Sequence, residues 1–354
     1  MTLGDSRSGV RQRRARIADV AREAGVSKTA VSFAFNSPER LNASTASRIR
    51  EVAATLGYRP HPVARMLTQG RTMMLGVLTP QVLPVVFRNP WFGHISEGIA
   101  AAAEEAGFGL VFVSPLRGSL SRALDRATVD GFVAIGLSHD HPEIEEIRQA
   151  GLPVVLVDSD PLPGYGSVEI DEEKGARAAA DHLLALGHRE ILVIGVEPPA
   201  PHVAPSHVTA RRLAGYREAF AAAGVPLLDD HVLVGPATVP GGMACLRRAW
   251  AVGLRPTGVL AMSDAMAIGV LAAARERSVA VPAELSIVGF DDIDLSQYTE
   301  PGLTTVHQPI RRKGEEAVRL LLAMLDGRAG AGGEHRRLET RLVVRGSSGP
   351  VPIT

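Results

Sequence analysis

Ser27, Lys28 and Thr29 stand in a row at the start of a short apolar-patterned stretch, two residues after Gly25, and their side chains suit contact with the edges of base pairs. When the first turn of a helix lies in the major groove, a lysine there can donate to guanine O6 and N7. A threonine can give a hydrogen bond or a methyl contact to thymine. Phe33, further along the same stretch, is either a packed or exposed ring or a partner for a thymine methyl. Little else in the chain points to reaction chemistry. Gly107-Phe108-Gly109 follows a helical stretch instead of a strand and lacks a third glycine, so it fails as a dinucleotide fingerprint. Neither a P-loop nor a G-x-S-x-G nucleophile turn occurs. His139-Asp140-His141 reads as a solvated loop, since no further ligand stands nearby. Cys245 is the one cysteine, which permits neither an internal disulfide nor a thiolate zinc cluster. No cofactor and no catalytic constellation are expected.

The elements that must position Lys28 and Thr29 are legible in the spacing. Ile17, Val20, Ala21 and Ala24 share one helical face that Gly25 closes. Ser27 can cap a second helix carrying Ala30, Val31, Ala34 and Phe35, which breaks at Asn36-Ser37-Pro38. Asn42 can cap a third, with Ile49, Val52, Ala53 and Leu56 running to Gly57. Residues 16–59 thus read as a helix-turn-helix domain, preceded by a disordered basic tail at 1–15. The charge agrees: residues 1–71 hold 13 Lys+Arg against 5 Asp+Glu, although the whole chain of 354 residues is balanced at 38 of each. A basic segment beside an acidic body is the distribution expected where only the small part meets a polyanion. Residues 60–72 form a linking segment in which Val63–Thr68 could make barely two helical turns.

From Met73 the texture changes to apolar runs alternating with Ala- and Glu-rich helical stretches. Strands are expected at 73–79, 110–114, 131–136, 154–158, 191–195, 258–262, 285–290 and 338–345. Helices are expected at 91–106, 141–150, 172–186, 208–223, 241–252, 264–277 and 309–326. Continuous apolar strands separated by helices mean parallel sheets covered on both faces. Some 280 residues of this pattern exceed one five- or six-stranded sheet, so two doubly wound α/β subdomains with a cleft between them are expected. Their boundaries are placed at about 73–168 with 307–336, and at about 169–306 with 337–354. The longest apolar runs fall far short of the roughly 18 residues that a membrane span needs. The first residues lead into no apolar stretch, and a cytoplasmic protein is expected.

Residues 16–72 resemble the DNA-binding headpiece of the lactose-repressor/galactose-repressor family of bacterial transcriptional regulators. The resemblance rests on D-V-A-x-x-A-G-V-S at Asp19–Ser27, Val31-Ser32, Asn36, L-G-Y at Leu56–Tyr58 and a P-x-x-V-A-x-x-L pattern from Pro60 to Leu67, into which Pro62 intrudes. It continues through NPWF at 89–92, ARRLAGYREA at 210–219, MSDAMAIG at 262–269, VGFDD at 288–292 and LTTVHQP at 303–309. Phe33 departs from it, standing where the family commonly has arginine, and the strand–helix–strand segment between Ser114 and Asp130 is shorter than usual.

The resemblance implies a small all-α headpiece joined to two parallel-sheet subdomains of the periplasmic-binding-protein kind. Implied DNA-contacting residues are Ser27, Lys28, Thr29, Ser32, Asn36, Tyr58, Ala64, Arg65 and Leu67, with Leu67 wedged between base steps in the minor groove. Trp91, Phe92, Arg212, Ser263 and Asp291 match positions that face a small-molecule effector, most often a sugar. Asp and Arg suit hydroxyls, and an aromatic face suits the C–H face of a sugar or a base. Arg212 and Asp291 could instead form a structural ion pair. The partners implied are pseudo-palindromic double-stranded operator DNA, the effector and a second copy of the chain. The nine residues after Arg345, GSSGPVPIT, cannot form a coiled coil, so association is expected to stop at the dimer. A transported-solute binding protein of the same fold is the rival reading, and a sugar-modifying enzyme a second.

Overall fold

Three short helices form where capping side chains and apolar faces coincide. They are α1 (Ile17–Glu23), α2 (Lys28–Asn36) and α3 (Ala43–Thr55). Ser27 Oγ accepts from Ala30 N at 3.1 Å and Asn42 Oδ1 from Ser44 N at 3.0 Å, so each cap satisfies a backbone donor that has no partner within its helix. Gly25 and Gly57, which follow α1 and α3, adopt left-handed φ of 64° and 63°. The helices bury Val20, Ala21, Ala24, Val31, Ala34, Ile49 and Ala53 against one another. The computed structural model describes residues 15–59, 70–116, 119–137, 149, 151–159, 162–198, 207–328 and 333–351. Most of the expected basic tail, the segment 60–69 with Ala64, Arg65 and Leu67, the triplet 139–141 and most of the helix expected at 141–150 lie outside these. The chain divides into two compact units, Met1–Thr72 and Met73–Thr354.

The second unit contains two six-stranded sheets. The first has the order β11-β5-β4-β3-β1-β2, built from β1 (Met74–Leu78), β2 (Gly109–Val113), β3 (Gly131–Ile135), β4 (Val154–Val157), β5 (Gly166–Ile170) and β11 (His335–Leu338). The second has the order β12-β10-β9-β8-β6-β7, built from β6 (Ile191–Val196), β7 (Val232–Gly235), β8 (Gly258–Ala261), β9 (Ser286–Asp291), β10 (Thr304–His307) and β12 (Arg341–Val343). Every pairing is parallel except β10 with β12.

The helices of this unit are α4 (Leu83–Val86), α5 (Pro90–Glu105), α6 (Ser121–Leu124), α7 (Glu172–Ala185), α8 (His207–Ala222), α9 (Val239–Ala251), α10 (Asp264–Glu276) and α11 (Ile310–Leu325). Alternation along a strand decides which helices it meets. Ile191 and Val193 pack into a core with α7 and α8, whereas Leu192 and Ile194 pack into the opposite one with α9 and α10. In the first sheet, Leu75 and Val77 join Ile95 and Ile99 of α5 and Val318 and Leu321 of α11. These two helices approach closely because Gly98 and Gly314 face each other's neighbours. A Cβ on Gly98 would run into the Arg311 carbonyl.

Three expectations are corrected. The single strand expected at 338–345 is two short strands, β11 and β12, which join different sheets. Glu339 and Thr340 between them carry the chain across. β5, β7 and β10 were not expected as strands: β5 and β10 carry Ser167, Glu169, Thr304 and Thr305 inside them, and β7 is only four residues long. The first sheet also extends past the expected boundaries, since β5 runs to Ile170 and β11 to Leu338. Among the described residues, the short segment after Ser114 holds one helical turn, α6. Among the described residues, no helix is long and apolar enough to cross a membrane.

Candidate functional site

In the headpiece, Ser27, Lys28 and Thr29 are exposed at the first turn of α2. The cap that starts this helix therefore also presents the side chains with base-reading chemistry. Ser32 and Asn36 lie one turn apart on the same helix, half-buried, with Asn36 Nδ2 donating to Ser32 Oγ at 3.3 Å. Asn36 Oδ1 is buried with no partner among the described residues. Tyr58 packs its ring on Phe35 at 6.0 Å, and burial raises its phenol pKa. Phe33 is half-buried with the Arg40 guanidinium 5.3 Å from its ring centroid, so it has a packing partner within the headpiece. Arg50 Nε donates to the Ala34 carbonyl at 3.1 Å and ties α3 to α2.

In the second unit the ends of strands gather charge. Asp158 follows β4, and Asp291 closes β9 with Asp292 next to it. All three hold positive φ, of 53°, 126° and 57°, a conformation that costs non-glycine residues of order 1–3 kcal/mol and tends to mark sites of function. Strand C-terminal ends also border the ligand crevice in open α/β sheets.

These carboxylates belong to one continuous polar chain. Lys313 Nζ of α11 donates to both Asp158 oxygens, at 2.7 and 2.9 Å, and to Gln308 Oε1 at 2.6 Å. Gln308 Nε2 donates to Asp291 Oδ1 at 2.6 Å. Arg212 Nη1 of α8 sits 3.8 Å from that oxygen, while its Nε donates to Glu172 Oε2 at 2.7 Å. Arg212 Nη1 also donates to the Met262 carbonyl, and its guanidinium lies 3.5 Å above the Phe290 ring centroid. Asp158 and Lys313 stand on elements of the first sheet, and Glu172, Arg212 and Asp291 on elements of the second, so the chain of bonds spans both subdomains.

Burial decides the electrostatics. Arg212, Asp291, Glu172, Gln308 and Lys313 are each at most 5% exposed. Desolvation pushes the Asp291 carboxyl up to about 8, against the pull of Arg212, and raises Glu172 as well. For Arg212 burial lowers the pKa, but Glu172 and Asp291 more than offset this. Glu172 Oε1 and the Tyr216 hydroxyl are buried without partners among the described residues. Such groups are costly unless something accepts or donates to them.

Of the residues singled out in the sequence, Arg212 and Asp291 stand side by side. The partner that Arg212 holds most closely is nevertheless Glu172. Ser263 follows Met262 and caps α10, its Oγ accepting from Met266 N at 3.3 Å. Trp91 joins from the other subdomain: it is buried at the start of α5, with Lys313 Nζ 5.6 Å from its ring centroid. Phe92 meets Trp91 edge-on at 5.1 Å. Sequence reasoning missed Asp158, Glu172, Gln308 and Lys313. Gln308 lay inside the quoted LTTVHQP string and Asp158 at the end of an expected strand, but nothing local marked Glu172 or Lys313.

A second buried carboxylate organises the same end of the second sheet. Asp264 accepts from Ile293 N at 2.9 Å and Ser296 Oγ at 2.6 Å, and also from Thr305 Oγ1. These bonds fix the segment after β9, and burial pushes the Asp264 carboxyl up to about 6 even so.

Residues 16–61 match the bacterial regulatory proteins of the lacI family, and residues 180–348 match the periplasmic binding protein-like domain. The HTH-type transcriptional regulator DegA of Bacillus subtilis is 32% identical over 95% of this chain and 98% of its own length. The HTH-type transcriptional regulator CelR of Thermobifida fusca is 31% identical over 95% and 99%. Among solved structures, a lac repressor dimer bound to operator and an anti-inducer aligns with TM-score 0.81 at 26% identity, covering 95% of this chain and 99% of that one. The complex of the transcriptional regulator CelR with cellobiose aligns with TM-score 0.70 at 29% identity, covering 94% and 100%.

Proposed function

This chain belongs to the lacI family of bacterial regulatory proteins, and from that premise we propose how its two units divide the work of operator recognition and effector control. It is a helix-turn-helix transcriptional regulator that binds operator DNA and is not an enzyme. Ser27, Lys28, Thr29, Ser32, Asn36 and Tyr58 contact the operator, with α2 in the major groove. Ala64, Arg65 and Leu67 contact the minor groove from the segment 60–72. The protein acts in the cytoplasm, where the DNA is, as a repressor. The headpiece sets it apart from a transported-solute binding protein.

Trp91, Phe92, Arg212, Ser263 and Asp291 hold the effector, which is a sugar. The polar chain from Asp158 to Glu172 is the observation that carries this assignment. It offers paired donors and acceptors in a desolvated setting, and hydroxyl groups can exchange with these internal pairs one for one. CelR, solved with cellobiose, supports the sugar class. A panel of cellobiose, monosaccharides and nucleosides in a thermal-shift assay tests the reading. A ligand at 100 times its dissociation constant adds roughly 2.7 kcal/mol to the folded state. The same ligand must shift operator affinity in fluorescence anisotropy, and a nucleoside doing so in place of every sugar would overturn the sugar assignment.

Two further outcomes follow for the DNA-facing residues. Lys28→Ala is expected to relax base preference by about 1–3 kcal/mol at one position of each half-site, read from a competition series of mutated operators. Leu67→Ala removes an apolar wedge but no phosphate contact, so operator affinity should fall well beyond affinity for random DNA. Equal losses on both DNAs would exclude the wedge.

Operators of two-fold symmetry need two headpieces, and the chain acts as a homodimer. Exposed apolar side chains at Val82, Val85 and Phe87, and at Leu295 and Tyr298, offer surface for a second copy.

A further inference from the structure

On either side of Gln308, whose side chain belongs to the polar chain, the backbone borders an open cavity of about 430 Å³ lined by His307, Pro309, Arg312, Arg337, Leu338, Glu339, Thr340 and Arg341. Three arginines and a histidine face one carboxylate across it. Two of the arginines have little to neutralise them. The nearest acid to Arg312 is Glu316 at 3.9 Å, and Arg341 has no acidic partner among the described residues. Arg337 and His307 are already engaged, with Glu169 and Asp292, each at 2.9 Å. A wall holding the Arg341 guanidinium, the loosely paired Arg312 guanidinium, the Thr340 hydroxyl and the first turn of α11, whose cap Pro309 offers no side-chain acceptor, suits a compact anion. Its volume lies within the range of small-molecule sites and leaves room for an organic body beyond the anionic group.

The position matters as much as the charge. Pro309 lies on the connection from β10 of the second sheet to α11 on the first, and Glu339 and Thr340 form the connection from β11 back to β12. The cavity is therefore walled by two of the strands of chain that must bend if the subdomains move relative to one another. We propose that it is a second ligand site, for a small molecule bearing a phosphomonoester, and that occupancy there fixes the angle between the subdomains and thereby tunes operator affinity. Free phosphate and a phosphorylated metabolite share the chemistry that this wall recognises.

Calorimetry on the full-length protein at constant ionic strength separates these sources, with inorganic phosphate, ribose 5-phosphate and ribose as probes. Ribose 5-phosphate should bind and raise the melting temperature, ribose should do neither, and inorganic phosphate should bind more weakly than the ester. The doubly substituted Arg312→Ala, Arg341→Ala protein should lose roughly tenfold or more in affinity. The pair Arg312→Lys, Arg341→Lys should recover part of it, because charge returns without the fork. Binding of inorganic phosphate equal to that of the ester would assign the site to the free ion. Wild-type protein that binds neither phosphate probe, or an alanine double variant that binds as the wild type does, would overturn the proposal. The latter result would place the anion on the basic headpiece instead. Operator affinity unchanged by saturating ribose 5-phosphate would refute the hinge role while leaving the site.

Discussion

Arg212→Ala is expected to lower the stability of the second unit by about 3–5 kcal/mol and to abolish the effector response together with it, because a buried cation is being withdrawn from carboxylates that cannot reach water. Glu172 loses its 2.7 Å donor, Asp291 loses the opposing charge beside it, and the Met262 carbonyl is left unpaired. Urea denaturation read by circular dichroism measures the first effect, and effector titration of the operator complex measures the second. A variant of wild-type stability would show that the polar chain closes without its arginine. Asp291→Asn should behave differently. Desolvation pushes the Asp291 carboxyl up to about 8 against the pull of Arg212, so burial favours its uncharged form, and an amide is uncharged with nearly the same shape. Asn should keep the fold and lose the effector. It also removes a titration. With its folded pKa raised, Asp291 stabilises the folded state fully at low pH, and that contribution is lost as pH rises from the ordinary carboxylate range to about 8. In the Asn variant, stability should decline less across that window.

Removal of residues 1–72 is expected to eliminate operator binding altogether. The 13 Lys+Arg residues among the first 71 are the cations available to displace counterions, and the remainder of the chain is net acidic. For the intact protein, neutralising six to ten phosphates would cost roughly 10³–10⁵ in affinity between 50 and 200 mM salt. Effector binding by the fragment beginning at Met73 should survive, since every residue of the polar chain lies beyond that point. Operator binding by that fragment, or a salt slope near zero for the whole protein, would contradict the division of labour.

The contrast between the two substitutions at Arg212 and Asp291 shows where sequence reasoning reached its limit. The motifs identified both residues and left two readings open, contact with an effector or a structural ion pair. Spacing could not show that Arg212 is buried and held most closely by a third residue, Glu172. Its partner Glu172 is 40 residues away in the chain and begins a helix whose local pattern asks only for an acidic first turn. Lys313 is similar: a lysine in the first turn of an amphipathic helix reads as solvated, yet tertiary packing places it fully buried on Asp158, 155 residues distant. Pairings of this kind are set by which strand ends the topology brings together, which one-dimensional periodicity does not encode. The headpiece was more legible because its caps, turns and apolar faces all act within a few residues. Ser27, Asn42, Gly25 and Gly57 each fix a boundary locally. The central strands β3, β4, β8 and β9 were equally plain, being continuous apolar runs, whereas β11 and β12 read as one strand because the crossing at Glu339 and Thr340 leaves no break in propensity.

The route of the chain through α11 and β11 also bears on how the protein is made. The core between α5 and the first sheet is closed by Ile310, Ala317, Val318, Leu320 and Leu321. These residues leave the ribosome only after all of β6 to β10 have emerged. The first subdomain to be synthesised is thus the one that must wait, with Leu75, Val77, Ile95 and Ile99 bare on one side until the C-terminal helix arrives. Its completion depends on contacts more than 200 residues apart in sequence, a span that the Arg311–Glu97 ion pair illustrates at 214. Long-range closure of this kind is slow and leaves apolar surface exposed meanwhile. Translation of this regulator therefore leaves both sheets unfinished until its last stretch of chain: the first waits for α11 and β11, and the second for β12 on β10.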